Sequence, residues 1–155
     1  MLNAFRKIGK DPEGSIFVTS GLGGMSGAQP KAGNISKCIT ICAEVNIKAI
    51  NTRNSQNWVD EVIDSSEKLV QRVKKAQEKK EVVSIAFHGN VVEVWESLYE
   101  NDIKVDIGSD QTSLHNPWSG GYYPVGYTFD EANKLIHENP EKFKAEVKST
   151  LKRPV

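Results

Sequence analysis

The glycine-rich run at residues 21–27 constrains the fold of this chain more than any other feature. Residues 15–19, just before it, are rich in β-branched and aromatic side chains and predict a short strand. Compared with the G-x-G-x-x-G pattern, Gly21 and Gly23 fit, Ser26 replaces the third glycine, and Gly24 and Gly27 are additional. Glycines also make ordinary turns. Where a strand passes through such a loop into a helix, however, bare backbone and the helix N-terminus can approach a pyrophosphate.

Strands and helices alternate along the rest of the sequence. Further strands are predicted at residues 38–44, 82–87 and 105–108, and helices at 1–10, 62–80 and 91–99. Two closing helices follow, one opened by the capping pattern Thr128-x-x-Glu131 and one beginning near Pro140. This alternation predicts an α/β fold with a doubly wound, mainly parallel, Rossmann-like sheet and helices on both faces. We expect an N-terminal helix and linker at residues 1–14 and the domain itself at 15–155.

Composition narrows the class of partner. Twenty basic residues balance twenty acidic ones, so the chain lacks the positive field that nucleic-acid binding needs. It also lacks an apolar run of the roughly 20 residues that cross a bilayer, which predicts a cytoplasmic protein without a membrane partner. Cys38 and Cys42 would lie roughly 13 Å apart along one strand. That separation predicts free, buried thiols, and no metal site is expected.

Polar side chains follow the predicted strands where a parallel sheet binds its ligands. Glu44 lies about twenty residues beyond the glycine loop, where a carboxylate accepts hydrogen bonds from an adenosine ribose and favours NAD over NADP. Arg53 is near enough in sequence to weaken that preference. Gly89 permits a close approach, while Asn90 is expected to cap the next helix and to contact the ligand. The fourth strand ends in a polar run at residues 109–113, followed by His115.

Three segments resemble the signature blocks of urocanase (urocanate hydratase). They are GLGGMSGAQP at residues 21–30, SDQTSLHNP at 109–117 and GGYYP at 120–124, and the first block is the most specific. The resemblance runs from about Phe17 to the C-terminus. It implies the NAD-binding domain of a cytosolic hydro-lyase of histidine degradation, which converts urocanate to imidazolonepropionate with NAD⁺ as an electrophile.

The same resemblance implies the cofactor contacts. An arginine common five residues after the family's glutamate is replaced here by Ala49, and Lys48 or Arg53 is a candidate substitute. The residues expected to bind NAD are Gly24, Met25, Ser26, Glu44, Asn90, Val91, Gln111, Thr112, Ser113, Leu114, His115, Tyr122 and Tyr123.

Urocanases are several times longer than 155 residues, so we expect the chain to be the middle domain of a larger enzyme. No catalytic residue is expected within it, and alone it should be inactive. The missing core domain would be its packing partner, and the parent enzyme is expected to form a homo-oligomer. Two alternatives remain open at this stage: an NAD-dependent dehydrogenase module and a non-catalytic dinucleotide-binding domain.

Overall fold

The computed structural model describes residues 1–109 and 116–153 of the chain. Its elements alternate between helix and strand, with short 3-10 turns at Ser26–Ala28 and Pro117–Ser119. In chain order they are α1 (Leu2–Ile8), β1 (Ile16–Ser20), α2 (Gln29–Ile35), β2 (Ile39–Glu44), α3 (Ile47–Ser55), β3 (Glu61–Ile63), α4 (Ser66–Lys79), β4 (Val83–His88), α5 (Val91–Glu100), β5 (Ile107–Gly108), α6 (Phe129–Glu138) and α7 (Pro140–Thr150).

The strands form one sheet in the order β3-β4-β2-β1-β5, and every described pairing is parallel. From β1 the chain crosses to β2 on one side, while β5 joins β1 on the other side. The strand order therefore reverses between β1 and β5, and in open parallel sheets ligands bind beyond the carboxyl ends of the strands at such a point. The predicted α/β, doubly wound fold is confirmed.

Helices cover both faces of the sheet, as predicted. On one face α4 and α5 pack on a cluster of fully buried aliphatic side chains that includes Ile39, Ile41 and Ile85. On the other face Ile50 of α3 packs with Cys42 and Ala86 of the sheet. Phe5 of α1 is buried on Phe17 and Cys38. Because β1, β2 and β4 are covered on both sides, they consist almost entirely of buried residues.

The predicted helix at 62–80 is wrong in its first residues. Glu61–Ile63 instead forms the edge strand β3, in which Val62 pairs with Ala86 of β4. Helix α4 begins only after Ser65, whose side chain accepts a hydrogen bond from the backbone N–H of Lys68. This serine cap sets the boundary, and the β-branched residues before it take up the free edge of β4.

Helix α3 is an element that the sequence pattern did not predict. It begins after Asn46, whose side-chain oxygen accepts from the N–H of Lys48 at 3.0 Å. Only Ile50 of this helix is buried, so the sequence has no apolar stripe that would predict the helix. Its position matters because it lies directly behind the glycine loop.

Helices α6 and α7 pack on each other around Tyr122, Phe143 and Val147. In this C-terminal part the Thr150 hydroxyl accepts from the N–H of Val125, and Arg153 makes a two-pronged ion pair with Glu96 of α5. Within residues 1–109 and 116–153, none of the helices combines the length and apolar character needed to span a bilayer.

Candidate dinucleotide-binding site

A cavity of about 290 Å³ opens beyond the carboxyl ends of β1, β2 and β4. It brings together six of the residues predicted to bind a cofactor, which are Ser26, Glu44, Asn90, Val91, Tyr122 and Tyr123. Segments far apart in sequence meet here because parallel strands end at the same edge of a sheet. The other residues that line the cavity, outside the predicted list of NAD contacts, are Ser20, Gly21, Gly23, Ala43, Val45, Gly89, Gly120 and Gly121.

The remaining predicted residues fall into two groups. Gly24 and Met25 lie in the glycine loop next to the cavity but outside its lining, and Met25 is 90% exposed. Gln111, Thr112, Ser113, Leu114 and His115 lie outside the described residues, so their place in the site stays a prediction.

The glycine loop presents backbone to open space. Gly21 turns the chain with φ +86°, a conformation that favours glycine, and its N–H donates to the carbonyl of Ala43 at 2.8 Å. A Cβ atom added at Gly23 or Gly24 would meet no heavy atom within 4 Å. Packing therefore does not require glycine at these two positions, whereas the close approach of a ligand to the loop would. This arrangement fits the phosphates of a dinucleotide.

Glu44 joins the end of β2 to the glycine loop. One carboxylate oxygen accepts from the N–H of Leu22 at 2.7 Å, and the other accepts from the N–H of Asn46 at 2.8 Å. Each oxygen keeps a further lone pair, so the half-buried carboxylate can still accept a hydrogen bond from a sugar hydroxyl. The two backbone donors also fix the orientation of the carboxylate relative to the loop.

Tyr123 also lines the cavity. Its hydroxyl donates to the side-chain oxygen of Asn133 at 3.0 Å, and its ring stacks on Phe129. Burial raises the pKa of the phenol, the hydrogen bond to Asn133 opposes that shift, and the negative charge of Glu44 adds to it. Tyr123 therefore stays neutral at physiological pH and offers the cavity an aromatic wall.

Asn90 caps helix α5, as predicted. Its side-chain oxygen accepts from the N–H of Val92, and its own backbone N–H donates to the carboxylate of Glu93. The two residues thus form a capping box. The Asn90 amide also donates to the carbonyl of Tyr123 at 2.7 Å, which ties the wall of the cavity to the helix. A Cβ added at Gly89 would lie 2.5 Å from the Phe87 ring, so packing inside the protein already requires this glycine.

The sequence indicated Arg53 only as a candidate substitute for the family arginine, and its contacts with the glycine loop were missed. Its Nε donates to the carbonyl of Leu22 at 3.0 Å, and its Nη2 donates to the carbonyl of Gly23 at 2.7 Å. It lies one helical turn after Ala49, on the same side of α3, and a helical side chain leans back toward the N-terminus. That spacing was the available signal, but it has meaning only once α3 is placed behind the loop.

A second cavity, of about 500 Å³, adjoins the first and shares Val45, Gly89 and Asn90 with it. The sequence did not indicate this cavity, because its walls come from the starts of α3 and α6 and from the turn before α6. They include Lys48, His88, Tyr127 and Phe129. The two cavities together form one elongated depression along the carboxyl edge of the sheet.

Neither cysteine lines this depression, and both are fully buried. Both thiols are free, as predicted. Desolvation by burial raises the pKa of Cys38 and of Cys42, and for Cys42 the neighbouring charge of Glu44 raises it further. Neutral, enclosed thiols of this kind are neither nucleophiles nor metal ligands. Across the described parts of the chain, no group of three or more His, Cys, Asp or Glu side chains is placed to hold a metal ion.

The sequence of the whole chain, residues 1–155, matches the family model of the urocanase Rossmann-like domain. The chain therefore belongs to the urocanase Rossmann-like domain family. The family resemblance drawn from the three sequence blocks is thus confirmed, and the name of the family agrees with the parallel sheet and the glycine loop described above. Urocanase Rossmann-like domains have a dinucleotide-binding fold, and the depression occupies the ligand-binding edge of that fold.

Curated relatives support the same assignment. The chain is 50% identical to a urocanate hydratase of Homo sapiens over 162 residues, which cover 100% of this chain and 24% of that protein. It is 53% identical to a probable urocanate hydratase of Dictyostelium discoideum, over 99% of this chain and 23% of that protein. This urocanase Rossmann-like domain thus spans about a quarter of the length of the relatives that it matches.

Proposed function

We propose that this domain is the NAD-binding part of a urocanate hydratase, the enzyme that converts urocanate to imidazolonepropionate in histidine degradation. The observation that carries the proposal is the open backbone of Gly23 and Gly24 next to the fixed carboxylate of Glu44. These are the two elements that a dinucleotide requires, since the loop accommodates the diphosphate and the carboxylate accepts from the adenosine ribose.

Glu44 also supports NAD rather than NADP. A 2′-phosphate placed near this carboxylate would be repelled. Arg53, the arginine nearest to Glu44 in sequence, has three of its N–H groups directed at the carbonyls of Leu22 and Gly23 and at the side chain of Gln56. These three N–H groups of Arg53 are therefore already bonded to the protein and do not face a 2′-phosphate.

The larger cavity is where we place the adenine ring. It adjoins the smaller cavity at Val45, Gly89 and Asn90, on the side of the sheet that carries β2 and β4. Tyr127 and Phe129 supply apolar surface, and Lys48 and His88 supply polar groups. The nicotinamide would then extend from the loop toward β5, where the predicted contacts at residues 111–115 follow in the sequence.

When bound, NAD⁺ supplies an electrophilic nicotinamide ring to the hydration of urocanate. The role of the described residues in this proposal is to bind the dinucleotide and to orient it. The glycine loop holds the diphosphate, Glu44 fixes the ribose, and Asn90 holds the segment of Tyr123 against the cavity. We propose that the residues that contact urocanate lie in the three quarters of the relatives' length that this chain does not span. We also propose that the whole enzyme is a cytoplasmic homo-oligomer.

Titration of the chain with NAD⁺ in a calorimeter tests the binding proposal, with Gly24→Val as the diagnostic variant. A Cβ at Gly24 meets no protein atom, so the fold should tolerate the change while the new side chain occupies the space for the diphosphate. Ala145→Val, an exposed substitution on α7, places a valine side chain elsewhere on the surface and should bind as the wild type does. Equal NAD⁺ affinity in Gly24→Val and the wild type would refute the placement of the diphosphate.

A further inference from the structure

The guanidinium of Arg53 is enclosed between the glycine loop and an aromatic ring. It donates to the carbonyls of Leu22 and Gly23, and a third nitrogen donates to the side-chain oxygen of Gln56 at 2.8 Å. Its central carbon lies 5.0 Å from the centre of the Trp58 ring. Four separate contacts thus hold in one conformation a long side chain that would otherwise sample many rotamers on the surface.

Gly27 provides the room for this guanidinium. A Cβ added at Gly27 would lie 2.2 Å from Nε of Arg53 and 2.7 Å from its central carbon, closer than non-bonded atoms approach. This glycine is additional to the G-x-G-x-x-G pattern, and no positive φ requires glycine at that position. The close packing of Arg53 is therefore the physical reason for glycine at residue 27.

Holding the two carbonyls determines the direction of the neighbouring N–H groups. In a trans peptide the carbonyl of one residue and the N–H of the next point in opposite directions. The carbonyls of Leu22 and Gly23 point at Arg53, so the N–H groups of Gly23 and Gly24 point away from it. Successive N–H groups on one side of a loop make an anion-binding concavity.

Arg53 also brings positive charge to the back of the loop. Its guanidinium donates to two backbone carbonyls and one side-chain amide, all of them neutral. Among the ion pairs of the described residues, none includes Arg53. Lys31 lies 5.4 Å from the centre of the same Trp58 ring, so a second cation lies close by. Positive charge behind the loop, with no ion pair of its own among the described residues, favours an anion in front of the loop.

We propose that Arg53 is a positioning residue for the diphosphate: from behind the glycine loop it turns the N–H groups of Gly23 and Gly24 toward the ligand, with Gly27 giving it room. The inference rests on the proposed NAD-binding function and adds a residue that does not itself touch the dinucleotide. It also assigns a role to the arginine of α3 one turn beyond Ala49.

Binding of ADP-ribose and of adenosine to Arg53→Met separates positioning from general stability. Methionine keeps the apolar stem but removes the charge and all three donors, including the two that hold the loop carbonyls. Affinity for ADP-ribose and NAD⁺ should fall by about tenfold or more, as two charge-assisted hydrogen bonds predict. Affinity for adenosine, which has no phosphate, should not change. Arg6→Met, an exposed arginine on α1, is the matched control and should bind all three ligands as the wild type does.

Gly27→Ala tests the same contact without removing the arginine. Its methyl group must displace the guanidinium, so the variant should show the same selective loss of ADP-ribose affinity. Combining Gly27→Ala with Arg53→Met should add little to either single change, because each removes one shared contact. Losses that simply add would contradict a shared contact.

Hydrogen exchange tests the loop without any ligand. The N–H of Gly27 donates to the carbonyl of Gly23, the same oxygen that Arg53 holds, so this amide should exchange faster in Arg53→Met by about tenfold. Equal exchange in the variant and the wild type would overturn the inference. If the wild-type chain binds neither NAD⁺ nor ADP-ribose, the proposed function fails. If Arg53→Met binds ADP-ribose as tightly as the wild type, the positioning inference fails and the proposed function stands.

Discussion

Glu44 and Arg53 show how far single residues could be predicted from this sequence. Glu44 was predictable because a strand end and the spacing from the glycine loop suffice to place a carboxylate at the ligand edge. Its second task, accepting the N–H groups of Leu22 and Asn46, emerges only in three dimensions. Arg53 meets the loop across 31 positions of sequence. Such a contact depends on the placement of a whole helix, and no local pattern announces it.

The buried thiols lead to a prediction at the residue scale. Cys38 and Cys42 have no exposed surface and raised pKa values, so neither should react with an aromatic disulfide reagent at pH 8 in the native chain. Unfolding in guanidinium chloride should release both thiols, which a colorimetric thiol assay would count. Rapid reaction of either thiol in the native chain would contradict the burial described here.

The same pKa shifts set the sign of one pH dependence. A thiol ionises with a pKa of about 8.5 when unfolded, and folding raises that pKa for both cysteines. Neutral thiols therefore contribute their full share of stability below about pH 8.5, and this contribution falls as the pH rises, because the unfolded thiols ionise first. Replacing Cys42 with alanine should make the free energy of unfolding less sensitive to pH between about pH 8.5 and 10.

At the scale of elements, the caps of α5 and α6 were predictable from the sequence, and the edge strand β3 was not. Asn90 and Thr128 occur at capping positions with Glu93 and Glu131 three residues later, and both capping boxes form. Strand β3 has three residues, of which Val62 is exposed. It forms because β4 offers a free edge, which is a tertiary cause that sequence periodicity does not contain.

The caps of α5 and α7 provide a matched pair of variants. Asn90→Ala removes a cap and the bond to the carbonyl of Tyr123, whereas Asn139→Ala removes only a cap, on the N–H of Lys142. Each should lower the free energy of unfolding by about 1–2 kcal/mol. Only Asn90→Ala should also weaken NAD⁺ binding, because Tyr123 forms a wall of the cavity. Denaturant titration and calorimetry measure the two effects, and equal NAD⁺ affinities would argue against the role of Asn90 in the cavity.

At the scale of the whole molecule, the sequence was sufficient to predict the sheet class and the family. It did not reveal the larger cavity, whose walls bring the start of α6 against the end of β4. That approach depends on tertiary contacts such as those of Thr150 with Val125 and of Arg153 with Glu96. These tertiary contacts link residues far apart in sequence, so no periodic sequence pattern predicts them.

If this chain binds NAD⁺ and the rest of the enzyme contacts urocanate, the chain alone should not react with urocanate. Because the chain spans about a quarter of its relatives' length, we expect the 155 residues to bind NAD⁺ without hydrating urocanate. The ultraviolet absorbance of urocanate should stay constant with this chain and NAD⁺, and should fall when a full-length relative is added. A steady loss with the chain alone would show that it carries the catalytic residues itself.

A crystal structure of the chain with NAD⁺ tests the central claim most directly. The account predicts the diphosphate against the backbone N–H groups of Gly23 and Gly24, an adenosine ribose hydroxyl within hydrogen-bond distance of Glu44, and Arg53 still bound to the carbonyls behind the loop. Density for NAD⁺ at another edge of the sheet, with the glycine loop filled by protein side chains, would contradict it.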